Sequence, residues 1–355
     1  MKKLVYILLI LFPVILFAEL FPVVDGKKIG YIDIKGNLVI PFDFECNVEY
    51  AEIVYQNRKL KTFNLPASAY FNEGLATVIK KSYFWFIPLG ADNVLIDNKG
   101  EIVLNSKSLN LGKFSCGRIP LAVRNKIVDV YVEYYSYCDK SGAFTDNNSY
   151  DFAGTYHEDF AVVMNDNLFY FIDKYGIPLG NSAYERAERF SEGMAAVMID
   201  GKWGYINTNG KMLINPKFDM AGNFKDGVAK VLTGNRFAYI NTKGNFTYTI
   251  FSRANDFSEG LASVENESGY WGFINTNGDF VIKPDFISAG NFVNNLAPVD
   301  IGGKFGYINK DGEMAIKPIF QFADNFKNGI AKVWYEDKLF YINTSGEVIW
   351  KFELD

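Results

Sequence analysis

The sequence predicts an all-β array of tandem repeats, each about 34 residues long and built of short antiparallel strands. The prediction rests on period and pattern. A turn glycine recurs every 34 residues, at Gly142, Gly176, Gly210, Gly244, Gly278, Gly312 and Gly346. A fixed period of this size marks a repeat architecture. A second turn series interleaves with the first and halves the spacing to 17. Between turns the segments are short and β-prone, as in Trp203-Gly-Tyr-Ile and Phe305-Gly-Tyr-Ile. No apolar stripe at helical spacing competes beyond the first twenty residues.

The turns explain the period. One series reads Asn207-Thr-Asn-Gly210, Asn275-Thr-Asn-Gly278 and Asn309-Lys-Asp-Gly312. The other reads Phe190-Ser-Glu-Gly193, Phe224-Lys-Asp-Gly227 and Phe326-Lys-Asn-Gly329. Both suit a type I turn closed by a left-handed residue. Asp159 and Asn295 replace glycine in the second series. Asp and Asn tolerate the left-handed region best after glycine, so a positive φ accounts for the series. A third turn, at Asp200-Gly201, Gly234-Asn235 and Gly302-Gly303, has the dipeptides of two-residue hairpins. Pro216, Pro284 and Pro318 mark strand ends or edge strands. Gly204, Gly272 and Gly306 follow an aromatic inside strands, which predicts close approach of a ring or another backbone. Each repeat therefore holds three or four strands.

At Lys202-Trp-Gly-Tyr-Ile-Asn-Thr-Asn-Gly210, Tyr270-Trp-Gly-Phe-Ile-Asn-Thr-Asn-Gly278 and Lys304-Phe-Gly-Tyr-Ile-Asn-Lys-Asp-Gly312 the chain resembles the bacterial WG (or KWG) β-repeat family. The resemblance is clear over about 185–350. It is traceable in decayed form from Ile29-Gly-Tyr-Ile-Asp-Ile-Lys-Gly36 onward. Only Trp203 and Trp271 keep the tryptophan; Phe237, Phe305 and Leu339 take its slot. The resemblance implies repeat-mediated binding or scaffolding in exported or envelope proteins, and it carries over no catalytic residues. About nine repeats are expected, as an open or superhelical solenoid. A closed propeller-like ring is the alternative.

Residues 1–18 read as a signal peptide: Met1-Lys-Lys, an apolar stretch from Leu4 to Phe17, and a cleavage point after Ala18. An uncleaved anchor is the alternative. The expected location is periplasmic, cell-surface or secreted. Residues 19–140 hold irregular repeats with extra residues near 45–66, 80–92 and 124–135, and 141–355 hold the regular array. Insertions in repeat arrays often map to the binding face; drift in a capping region is the competing account. No later segment is long and apolar enough to span a membrane as a helix. A net charge of −5 with interspersed signs provides no basic patch for nucleic acid.

Cys46, Cys116 and Cys138 allow one disulfide and one free thiol in an exported chain. Cys138 stands in the slot of Ile206 and Ile240, so it reads as a small buried apolar residue. The sequence has no CxxC or Cys/His cluster, and no metal or cofactor is expected. Asp146-Asn-Asn-Ser-Tyr-Asp151 lacks the sixth-position glycine of a calcium loop. His157 is the only histidine; beside Glu158-Asp159 in a turn slot, it reads as a surface residue. Register acids such as Glu192 and Asp226 belong to turns. No catalytic residue is assigned.

These observations predict an exported, non-enzymatic binding or scaffold protein acting on a protein partner. One alternative is an envelope-glycan binder presenting Trp203, Trp271 and Phe305 at matched positions. The other is a hydrolase in the irregular half, with acids converging near His157. Tyr131 and Tyr135 lie off the register and are candidates for an adaptable binding surface, against a strand with alternate rings buried.

Overall fold

The computed structural model describes residues 19–55, 58–84, 87–106, 110–127, 130–145 and 148–353. The expected signal peptide at 1–18 lies outside the described residues. A regular unit spans 186–218. Its strands Arg186–Ala187, Met194–Ile199, Lys202–Asn207 and Met212–Phe218 lie side by side in chain order, all antiparallel.

Local chemistry sets each reversal. Asp200 and Gly201 both take positive φ, 51° and 71°, and join the second and third strands. The third and fourth are joined at Asn207–Gly210. There Asn207 Oδ1 accepts the N–H of Asn209 and of Lys211, and Gly210 has φ 74°. This is the expected type I turn with a left-handed closing glycine. The other series differs. At Ser191-Glu192-Gly193-Met194 both central residues are left-handed, 54° and 74°, and Ser191 and Met194 exchange two backbone hydrogen bonds. That is a type I′ reversal rather than type I, because its twist matches the strands it joins. Asp159 and Asn295 hold φ of 67° and 61°, as their substitution for glycine predicts.

Gly204 is crowded by backbone rather than by a ring. A Cβ there would stand 2.7 Å from the nitrogen of Pro216. The third and fourth strands slip register at this point, pairing Trp203 with Phe218 but Tyr205 with Ile214. The resulting bulge presses the fourth strand inward. Pro216 lies on that strand, at the sheet edge, where no ladder bond is lost.

Among the described residues, seven separate sheets have three or four strands. A six-stranded sheet comprises two further three-stranded meanders, at 21–45 and 75–105, joined by the single pair Glu45 and Ile79. Nine blades thus follow one another: blade 1 (21–45), blade 2 (75–105), blade 3 (110–138), blade 4 (152–173), blade 5 (186–218), blade 6 (220–251), blade 7 (261–286), blade 8 (288–320) and blade 9 (322–351). Each buries its faces against its neighbours, as repeat units do.

Nine apolar cores join these blades. An open row of nine units has only eight interfaces. The ninth core packs Phe21, Val23, Val24 and Ile32 of the first blade against Ile330, Trp334 and Tyr341 of the last. The chain is therefore a closed, propeller-like ring, and the expected open or superhelical solenoid is corrected. The period specifies pairing within a blade and is silent on the angle between blades. Side-chain contacts set that angle. Tyr137, Tyr205 and Tyr307 each donate to a carbonyl of the next blade, at Gly154, Gly222 and Asp324, at 2.6 to 2.8 Å. Across the seam Tyr341 donates to Pro22 at 3.1 Å. The ring of Phe352 lies 4.8 Å from Tyr341, the same spacing as Tyr205 to Phe224.

The insertion near 45–66 forms a hairpin, Glu49–Tyr55 with Arg58–Asn64, outside the blade sheets. It straps the seam. Trp334 Nε1 donates to the carbonyl of Lys61, and Lys332 Nζ to that of Phe63, each at 2.8 Å. Tyr55 lies against Phe305 and Phe322, and its hydroxyl hydrogen-bonds Asp300. The irregular and regular halves are two arcs of one ring.

Candidate functional site

Trp203, Trp271 and Phe305 are only 9, 8 and 3 % exposed. Each pairs with a phenylalanine of its blade's last strand, Phe218, Phe286 and Phe320 respectively, and joins an apolar core. The slot faces the neighbouring blade, so no exposed ladder forms at matched positions. That correction removes the main support for glycan binding through these rings. The seven turn glycines of the 34-residue series all have φ between 74° and 90° and serve the backbone.

The irregular arc differs. The insertion at 124–135 lengthens the paired strands Ile119–Ile127 and Val130–Cys138. Tyr131 pairs with Lys126 there, and its side chain lies outside the described residues. Tyr137, Tyr150 and Tyr156 are buried between blades 3 and 4. Tyr135 points outward, 37 % exposed. Phe152 lies 6.3 Å from it and is 42 % exposed; Phe169 lies 6.3 Å beyond Phe152. These three rings make an aromatic stripe across blades 3 and 4. Tyr135 and Phe169 stand 68 and 34 residues before Trp203, in its slot rather than off the register. Phe152 has no such signature, and its pairing with Met164, opposite Phe169, brings it to the same face.

The stripe borders a cleft of about 420 Å³, walled by Phe152, Phe169, Thr155, His157, Glu188, Arg189 and Asn223. His157 is half-buried rather than on the open surface, and Arg189 stands 3.5 Å from its Nε2. Burial first, then the charges of Arg189 and Lys113, push the imidazole pKa down, with Glu158 opposing. The ring is therefore poised to be neutral near pH 7. Asn223 Oδ1 is buried without a hydrogen-bond partner among the described residues. It is an acceptor that a ligand N–H or O–H would satisfy. A second cleft, of about 650 Å³, lies near Tyr150, Tyr170 and Tyr175 of the same blade.

The register acids hold turns, but not their own. Glu158 accepts the N–H of Glu192 and Gly193 one repeat on, and Glu192 accepts those of Asp226 and Gly227. Glu259 does the same for Asn294 and Asn295. A left-handed pair of residues points its amides outward, where a carboxylate can take both. The sequence showed the spacing and not this handover between blades. Cys46, Cys116 and Cys138 are free thiols, and Cys138 is buried as its slot predicts. Burial raises the thiols of Cys46 and Cys138 to about 12 and 11. Among the described residues no three His, Cys, Asp or Glu side chains cluster to hold a metal ion. No described helix is long and apolar enough to cross a membrane.

Comparison with curated proteins finds no significant match. Among solved structures, a eukaryotic initiation factor is similar at 11 % identity and a TM-score of 0.59, over 94 % of this chain and 95 % of that one. BamB from Moraxella catarrhalis (12 %, TM-score 0.39, over 83 and 97 %) and the C-terminal WD40 domain of Sif2 (11 %, 0.35, over 64 and 75 %) align more loosely. At these identities the likeness is one of fold. The model of the WG containing repeat matches residues 29–45, 183–203, 203–237, 237–270, 271–305 and 305–338. With six copies in register around a ring that they help to close, the chain belongs to the WG-repeat family.

Proposed function

We propose that the chain is an exported, non-enzymatic binding or scaffold protein whose partner is another protein. Export rests on the leader-like residues 1–18. The observation that carries the binding role is the stripe of Tyr135, Phe152 and Phe169 beside a polar cleft. Elsewhere the register aromatics are spent on cores between blades. Exposed aromatics grouped on a rigid scaffold mark interaction sites.

The test is capture from envelope extracts with the purified chain, running protein and insoluble wall fractions side by side. Recovery of a specific protein is the expected result. Sedimentation with the wall fraction, competed by soluble glycan, would replace this reading with a lectin-like one.

A further inference from the structure

The junction of blades 8 and 9, beside the seam, contains an occupied counterpart of the open stripe. Phe305 lies two residues before Tyr307, as Tyr135 lies two before Tyr137. Phe322-Ala323 opens blade 9 as Phe152-Ala153 opens blade 4. Phe305 and Phe322 therefore hold the positions of Tyr135 and Phe152. At that junction the pair is covered: Tyr55 of the strap lies edge-on to both rings, at 5.2 and 5.6 Å. The strap binds through its backbone as well, through the carbonyls of Lys61 and Phe63. At blades 3 and 4 the corresponding pair is 37 and 42 % exposed.

The surroundings also select charge. Arg189 walls the cleft, and both it and Lys113 bear on the same histidine as cations. Glu188 is the one carboxylate in that wall; Glu158 stands beside His157, but its charge weighs less there than those of Arg189 and Lys113. The field at the histidine is thus net positive, so an acidic partner fits best. The buried Asn223 Oδ1 offers an acceptor for a backbone N–H.

We propose that the stripe receives a tyrosine or phenylalanine from an extended acidic segment of a protein partner, as the strap seats Tyr55. The proposal rests on the protein-partner reading above and names the chemistry of the segment.

The test uses the purified chain and three fluorescein-labelled peptides followed by anisotropy. One is acidic and aromatic (Asp-Glu-Tyr-Phe-Glu-Asp). In the second the two aromatics are alanine, and in the third the acids are lysine. The first should bind, and the others at least about tenfold more weakly. Phe152→Ala and Tyr135→Ala should each weaken it about tenfold; both side chains are exposed, so the thermal midpoint should hold. Equal binding of the alanine peptide, indifference to both substitutions, or no binding of any peptide would overturn the proposal. So would displacement of the peptide by a chitin oligosaccharide. Capture of an envelope protein by the Phe152→Ala chain as well as by the native one would reject this site and leave the protein-partner reading intact. Capture of none by the native chain would reject that reading itself.

Discussion

At the scale of single residues, two kinds of glycine do different work. Gly193 has φ 74° and open space around a Cβ, so its requirement is conformational. Gly204 has no positive φ and has the backbone of Pro216 where a Cβ would go, so its requirement is steric. Gly193→Ala should cost about 1 kcal/mol, the price of a left-handed alanine. Gly204→Ala should cost about 3 kcal/mol or more, because the atoms in its way are backbone and cannot rotate aside. Denaturant titration of both variants checks the order; equal costs would contradict the bulge assignment. Glu192 is exposed, yet it holds two amides of the next blade. Glu192→Ala should speed hydrogen exchange at Asp226 and Gly227 specifically. Uniform or unchanged exchange would deny the handover.

The elements were legible to different degrees. Hairpin dipeptides, the left-handed slots at Asp159 and Asn295, and edge prolines are local requirements, and local sequence states them. The second turn was misread as type I because Glu192, Asp226 and Glu259 do not advertise a positive φ. Their strain is offset by contacts with another blade, which no local rule sees. The same holds for the insertion at 45–66. Composition could not say whether it faces a partner or its own chain, and the answer is the far end of the ring. The strap makes a prediction through Lys332. Its ammonium lies 4.0 Å from the centre of the Phe63 ring and donates to the Phe63 carbonyl. Burial lowers its pKa from 10.5 to about 8, with Lys327 helping and Asp324 opposing. Between about pH 8 and 10.5 the unfolded chain binds more protons at this lysine than the folded one. Its contribution to stability should therefore rise with pH across that window and be flat below it. Above about pH 9 the thiols of Cys46 and Cys138, and above about pH 10 Tyr205, Tyr239 and Tyr307, act in the opposite sense, since burial raises their pKa values and the unfolded chain loses protons first. Stability measured against pH should rise above pH 8 and then fall. Lys332→Met should diminish the rise just above pH 8, where Lys327 contributes in the same sense, and keep the fall; an undiminished rise would remove Lys332 as its source.

At the scale of the whole molecule, the 34-residue unit and the all-β class were readable from Gly142 through Gly346, and closure was not. Closure depends on whether the curvature summed over nine interfaces returns the chain to its start, and no single repeat contains that sum. The candidate site was half readable. Tyr135 stood out, though misread as off the register when it fills the slot of Trp203 and Phe305. Phe152 and Phe169 did not, because their exposure follows from what fails to cover them. Trp203 and Trp271 drew attention by residue type and proved to be core.

The central claim is that the two ends of the array touch. A Cβ on Gly36 would meet the backbone of Ile349, so Lys35 and Val348, both exposed, lie close together. Donor and acceptor dyes attached after Lys35→Cys and Val348→Cys, in a Cys116→Ser background, read that distance by energy transfer. Cys46 and Cys138 should stay unlabelled at neutral pH, since they are buried with thiol pKa values near 12 and 11. Near-complete transfer that is lost only in the global unfolding transition is the predicted result. Low transfer in the folded protein would mean an open array and would contradict the ring.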